Sequence, residues 1–267
     1  MNYAFLGGGR MGCALIRGML ASGLTDGEQI TISSKHLESA QKAASSLGTK
    51  AAQSNAEAVS GADVIFLCVK PSQALAVVTE AATQLQGKLL ISIVAGIHSK
   101  DLLEAAVGKL RVIRTMPNTA VRLRKGITAV APDTSATAED LALALEIFSS
   151  VGTVLEVSEK DLDAVTAVSG SGPAFALLML ESLAQGGIEG GLAPHVAKTF
   201  AAGALAAAAA LVMETGESPL ALRQEITSPG GTTAAGLEVL THAGFPDIVR
   251  EAANAARHRS IELSAKR

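Results

Sequence analysis

The sequence predicts an α/β domain with a mostly parallel, doubly wound sheet, followed by an all-helical domain. Three observations carry this. Over about the first 155 residues, short apolar runs alternate with helical stretches, the pattern of βαβ units. The run Val64-Ile65-Phe66-Leu67-Cys68-Val69 has no polar alternation, as expected of a strand covered on both faces. From Glu159 onward no segment reads as a strand, which sets the expected domains at 1–158 and 159–267.

Strands are expected at 3–6, 30–33, 64–69, 89–94, 111–115, 127–131 and 153–157, each rich in Val, Ile, Leu or aromatic residues. Helical periodicity lies between them at 11–21, 37–46, 73–85, 99–107 and 138–150. The second half reads as helices at about 160–187, 194–214, 218–226, 231–242 and 246–264. Gly186-Gly187, Gly190-Gly191, Gly216, Ser228-Pro229-Gly230 and Gly244 separate them.

Composition narrows the function. The 267 residues are 48% hydrophobic and 18% charged, with a net charge of -3. No basic stripe exists and aromatics make up 3%, so a nucleic-acid partner is not expected. The first residues read as a strand rather than a charged leader, which implies a cytoplasmic chain. The alanine-rich run 199–213 is shorter than the ~20 residues a membrane helix needs, is bracketed by Lys198 and Glu214, and reads as a buried helix. Cys13 and Cys68 lack metal-ligand spacing and read as small core residues; no metal is expected.

Gly7, Gly9 and Gly12 satisfy G-x-G-x-x-G between an expected strand and an expected helix. The first glycine permits the sharp turn, the second close approach of a pyrophosphate, the third close helix–strand packing. The following helix start, with Arg10 and Met11, offers free N–H groups to phosphate. About 20 residues on, an NAD site places a carboxylate. Here Ser33-Ser34-Lys35-His36 stands instead, hydroxyls and a cation suited to a 2′-phosphate. NADPH is therefore the expected cofactor, with NADH as the alternative. Val69-Lys70-Pro71, Ala95-Gly96 and Asn118 follow other strands, at the carboxyl ends where such sheets bind ligands.

Two segments of the second half carry hydroxyls on freed backbone. Ser228-Pro229-Gly230-Gly231-Thr232-Thr233 precedes an amphipathic stretch, and consecutive N–H groups there form an anion nest suited to a carboxylate. Ser169-Gly170-Ser171-Gly172-Pro173 interrupts a long helix at a cost in helix stability, which suggests a pocket.

Gly7 to Gly12, Val69-Lys70-Pro71, Met116-Pro117-Asn118-Thr119, Ser169 to Pro173 and Thr227 to Thr233 together resemble the pyrroline-5-carboxylate reductases, over nearly the whole chain. The resemblance implies a Rossmann-like domain that binds NADPH and a helical domain that binds substrate and pairs with a second subunit, dimers often forming decamers. It implies reduction of 1-pyrroline-5-carboxylate to L-proline, the last step of proline biosynthesis. It also implies residue roles: Asn55 at the adenosine, Lys70 and Ala95 nearer the nicotinamide, Glu159, Thr166 and Ser169 in the substrate pocket. Ser228, Gly230, Gly231, Thr232 and Thr233 would hold the substrate, with Thr233 near the imine nitrogen. Glu225 departs from the uncharged amide that many members carry there.

The nearest rival, a β-hydroxyacid dehydrogenase, needs a base and uses a helix lysine four residues after a G-x-G pair. Ala176 occupies that place after Gly170 and Gly172. A reductase of another cyclic imine and a non-catalytic NADP-binding regulator are two further candidate functions. A protonated cyclic imine is already electrophilic, so hydride transfer needs positioning more than a strong base.

Overall fold

The structure, a computed structural model, describes residues 1–265. It begins with β1 (Tyr3–Leu6), α1 (Arg10–Ser22), β2 (Ile30–Ser33), α2 (Leu37–Leu47), β3 (Lys50–Ala51), α3 (Asn55–Ser60), β4 (Val64–Leu67), α4 (Ala74–Glu80), β5 (Leu89–Ser92) and α5 (Ser99–Ala105). It continues with β6 (Arg111–Pro117), β7 (Gly126–Pro132), α6 (Ala138–Ser149) and β8 (Gly152–Glu156). The eight strands form one sheet ordered β3-β2-β1-β4-β5-β6-β7-β8. Neighbours are parallel except β6 and β7, which pair antiparallel.

Both faces of the sheet are covered, so its strands are apolar without alternation. Residues of β1 alternate between two cores: Tyr3 and Phe5 face one with α1 and α6, Ala4 and Leu6 the other with α4 and α5. Phe5 stacks on Phe66 at 4.5 Å, and Phe148 of α6 meets Phe66 edge-on at 6.4 Å. Arg111 at the start of β6 pairs with Asp140 of α6 at 2.6 Å, and Thr137 caps the same helix in a capping box. Burial works to raise the Asp140 pKa, but Arg111 and Thr137 outweigh it and hold the carboxyl below its ordinary value.

The expected strands are all present, the first two with the expected ends and the others with ends shifted by one or two residues. Three elements differ from expectation. β3 has two residues and α3 six, too short to show a period. The helix expected over 73–85 stops at Glu80, because 81–85 close as turns packed under β5.

Helices follow: α7 (Leu162–Val165), a π-helical segment (Thr166–Ser171), α8 (Gly172–Glu189), α9 (Pro194–Thr215), α10 (Pro219–Glu225), α11 (Thr232–His242) and α12 (Phe245–Ala265). Among the described residues no strand follows β8. By packing, the chain forms two compact units: Met1–Gly170 together with residues from Arg257, and Ser171–Ala256. The division thus falls after Gly170, beyond the end of β8 at Glu156, and the end of α12 returns to the first unit.

In the second unit, α8 and α9 pack through Ala184, Ala197 and Ala201, with Leu180 and Ile188 beside them. The alanine-rich helix differs from its expected buried state. It runs 22 residues, and Ala197 and Ala201 are its buried positions, while Phe200 is 70% exposed. Alanine on one side suffices to seat α8, and α10 touches the helix as well, yet much of its apolar surface stays exposed. Two helical stretches, Glu159–Glu189 and Pro194–Thr215, are long and apolar enough to cross a membrane.

Candidate active site

β1 pairs with β2 on one side and β4 on the other, and the chain reverses direction across the sheet between them. This switch point is where such sheets bind ligands. The turn after β1 is built for close approach. Gly7 holds φ +114, and a Cβ there would lie 2.6 Å from the Cys68 carbonyl oxygen at the end of β4. A Cβ at Gly12 would lie 2.7 Å from the Gly7 carbonyl oxygen. Gly9 is exposed, and a Cβ there would come no nearer than 3.9 Å to its surroundings, the Cys68 carbonyl oxygen; here a side chain would fill open space over the helix start. Gly9 caps α1 without a side chain, and the first turn carries no acid. An exposed cradle of N–H groups with Arg10 beside it fits a pyrophosphate.

The other expected cofactor residues gather at the same carboxyl edge of the parallel strands. Ser33 is buried and donates to Asn55 Oδ1 at 2.7 Å, while Asn55 Nδ2 donates to Glu80 at 2.9 Å. Ser34 Oγ accepts the Gly8 N–H at 3.1 Å and so fixes the glycine turn. Lys35 is exposed beside it. Val69 is half-buried, and exposed Lys70 precedes the 3₁₀ turn opened by Pro71. Ala95 is half-buried, and Gly96 is buried at φ +73. Asn118 is buried, and its Oδ1 accepts the Ala120 N–H at 3.2 Å, which caps the turn after β6. Met11 is half-buried on α1. Cys13 and Cys68 are free thiols next to this turn; burial raises both pKa values, partly offset at Cys13 by Arg17.

The expected substrate residues fall into both units. In the first, Glu159 Oε1 accepts from the Ser99 N–H at 2.8 Å and from Arg114 at 2.9 Å. Burial works to raise its pKa, but the Ser99 amide and the Arg114 guanidinium outweigh it and leave the carboxyl below its usual range. Glu159 is thus held as an internal counter-ion, for the Arg114 side chain is 5% exposed. Sequence reasoning missed this pair. Its signal was an arginine inside an apolar strand, which needs a buried partner. Thr166 donates to the Leu162 carbonyl at 2.7 Å. The Ser169 hydroxyl is buried without a partner, on the π-helical segment. Single π turns inside helices are frequent at functional sites.

In the second unit, Gly231 N–H donates to the Ser228 carbonyl at 3.1 Å, with Gly230 at φ +72. Pro229 and Gly230 thus sit where a type II turn wants them. This narrows the expected nest: the Gly231 N–H is consumed, and the donors left are those at the start of α11. Thr232 and Thr233 are exposed there, and Gly231 caps the helix without a side chain.

Comparison with known proteins matches these two parts separately and together. Residues 159–263 match the family described as pyrroline-5-carboxylate reductase dimerisation, and residues 2–96 that described as NADP oxidoreductase coenzyme F420-dependent. The chain is 38% identical to the pyrroline-5-carboxylate reductase of Methanosarcina acetivorans, covering 99% of this chain and 98% of that one. It is 38% identical to that of Arabidopsis thaliana, over 98% and 95%. The chain belongs to the pyrroline-5-carboxylate reductase family. Among solved structures, the Plasmodium falciparum pyrroline carboxylate reductase with NADP bound superposes with a TM-score of 0.89 at 30% identity, covering 99% and 98% of the two chains. The Coxiella burnetii pyrroline-5-carboxylate reductase gives 0.88 at 32%, over 98% of each. The dimerisation family begins at 159, where the strands end, whereas packing divides this chain after Gly170.

Proposed function

We propose that the chain reduces 1-pyrroline-5-carboxylate to L-proline with NADPH, closing proline biosynthesis. The observation that carries this reading is the full-length family membership of a chain whose glycine turn is shaped for a pyrophosphate. When bound, NADPH supplies the hydride; one hydride and one proton convert the C=N bond to CH–NH. The residues of this chain bind and orient. Gly7, Gly9 and Gly12 seat the phosphates, Arg10, Ser34 and Lys35 meet the 2′-phosphate, and Asn55 holds the adenosine side. Val69, Lys70, Pro71, Ala95, Gly96 and Asn118 line the edge nearer the ring.

The N–H groups at the start of α11 take the substrate carboxylate, favoured by the helix dipole. In the second unit the Thr233 hydroxyl bonds the substrate nitrogen; in the first, the Ser169 hydroxyl is buried and unpartnered. The exposed apolar faces of α8 and α9 support a homodimer, with further association to a decamer as the family resemblance implies. Two free thiols suit a reducing cytoplasm.

NADPH oxidation with pyrroline-5-carboxylate, a six-membered cyclic imine acid and a β-hydroxyacid tests the reading. Turnover is expected with the first substrate. Thr233→Ala should lower kcat/KM by about tenfold to a thousandfold, the scale of a lost transition-state hydrogen bond, with NADPH affinity within about twofold. A large loss of NADPH affinity instead would overturn the role given to Thr233.

A further inference from the structure

α12 makes a junction that the proposed chemistry does not use. It starts in the helical unit, but from Arg257 its residues belong to the first unit. Ser260 is 5% exposed there, on a helix whose outer residues face solvent. Its Oγ donates to Asp163 Oδ1 at 2.6 Å, across 97 positions of sequence. One turn later, Ser264 Oγ donates to the Ser260 carbonyl at 3.1 Å. The same turn lies against Gly96. A Cβ at Gly96 would be 3.1 Å from Ser264 Oγ, 3.4 Å from Ser264 N and 3.5 Å from the Leu263 carbonyl carbon. One turn of helix is therefore bonded to α7 on one side and pressed onto the loop after β5 on the other. That loop emerges at the carboxyl edge of the sheet, beside the strands that carry the glycine turn.

We infer that the Ser260 turn of α12 is a positioning element for the Ala95-Gly96 loop, and through it for the reactive end of the dinucleotide. The inference rests on the assignment of that loop to the nicotinamide side. A buried serine is a poor choice for helix stability alone, since alanine has the higher propensity. Its hydroxyl gains its value from Asp163, which fixes the rotation of α12 and so the height at which Ser264 meets Gly96. Hydride transfer is sensitive to displacements near 1 Å, so slack in this loop lowers kcat before it lowers affinity. The adenosine and phosphate contacts are carried by other elements.

Ser260→Ala, Asp163→Ala and the conservative Asp163→Asn, which keeps Oδ1 as acceptor, test this in the full-length protein. In Ser260→Ala, kcat is expected to fall about fivefold, with the KM for NADPH within about twofold and the melting temperature unchanged. Hydrogen exchange of the amides over 93–97, measured without cofactor, should quicken in Ser260→Ala and Asp163→Ala. It should stay near wild type in Asp163→Asn, which also keeps kcat. The double variant Ser260→Ala/Asp163→Ala should be no slower than either single one. Unchanged kcat and exchange in Ser260→Ala would overturn the brace while leaving the reductase reading intact. A fall in kcat that tracks a fall in melting temperature would reduce the contact to a structural one and overturn the positioning role. A wild-type chain without turnover would overturn both.

Discussion

The two compact units bury their apolar residues differently. The sheet unit closes its own core: Phe5, Phe66, Phe148 and Leu15 are fully buried between strands and helices of the same chain. The helical unit, which includes the alanine-rich α9, buries Ala184, Ala197, Ala201 and Leu222, while Leu178 is 65% and Val239 69% exposed. An exposed apolar surface of that kind marks an interaction site. The first unit closes its core within one chain; the second leaves much of its apolar surface open within one chain.

That contrast predicts where mutations act. Phe66→Ala removes the ring that joins Phe5 to Phe148 and should destabilise the protein by about 3–5 kcal/mol. Thermal unfolding measures it, and the loss should be independent of protein concentration. Phe200→Asp should weaken self-association by about a hundredfold or more, the scale of a central interface residue. Sedimentation then shows a lighter species, and the melting temperature of the wild type alone depends on concentration. An unchanged mass would erase the distinction between the units.

Glu159→Gln should cost about 1–3 kcal/mol near neutral pH by leaving Arg114 without its counter-ion. The sign follows from the lowered carboxyl pKa in the folded state. Its stabilisation is present above the unfolded value of about 4.3 and is lost as pH falls through the folded value. The gap between variant and wild type should therefore narrow in acid, as denaturation at stepped pH would reveal. A gap that stays constant would place the energy in packing. Lys35→Glu is the smallest change: a shift of about tenfold from NADPH toward NADH, near the energy of one exposed charge contact. Equal preference before and after would mean that the 2′-phosphate is read elsewhere.

Much of the cofactor edge was legible because glycine has few substitutes. Gly7 cannot carry a side chain against Cys68, so its spacing to Gly12 survives in the sequence as a pattern. Thr232 and Thr233 were legible as a helix start, but the consumption of the Gly231 N–H by Ser228 was not, since turn bonds leave no composition signature. The Arg114–Glu159 pair spans 45 positions, and no period links such residues. The exposure of Phe200 was illegible for another reason: amphipathicity shows that a face is apolar, not which chain covers it.

The two thiols beside the glycine turn have a practical consequence. Burial raises the pKa of both Cys13 and Cys68 and so lowers the fraction of thiolate, the form that alkylating reagents attack. A cysteine introduced on a solvent-facing helix would outcompete them, so fluorophores or spin labels could be attached site-selectively without first removing the native pair.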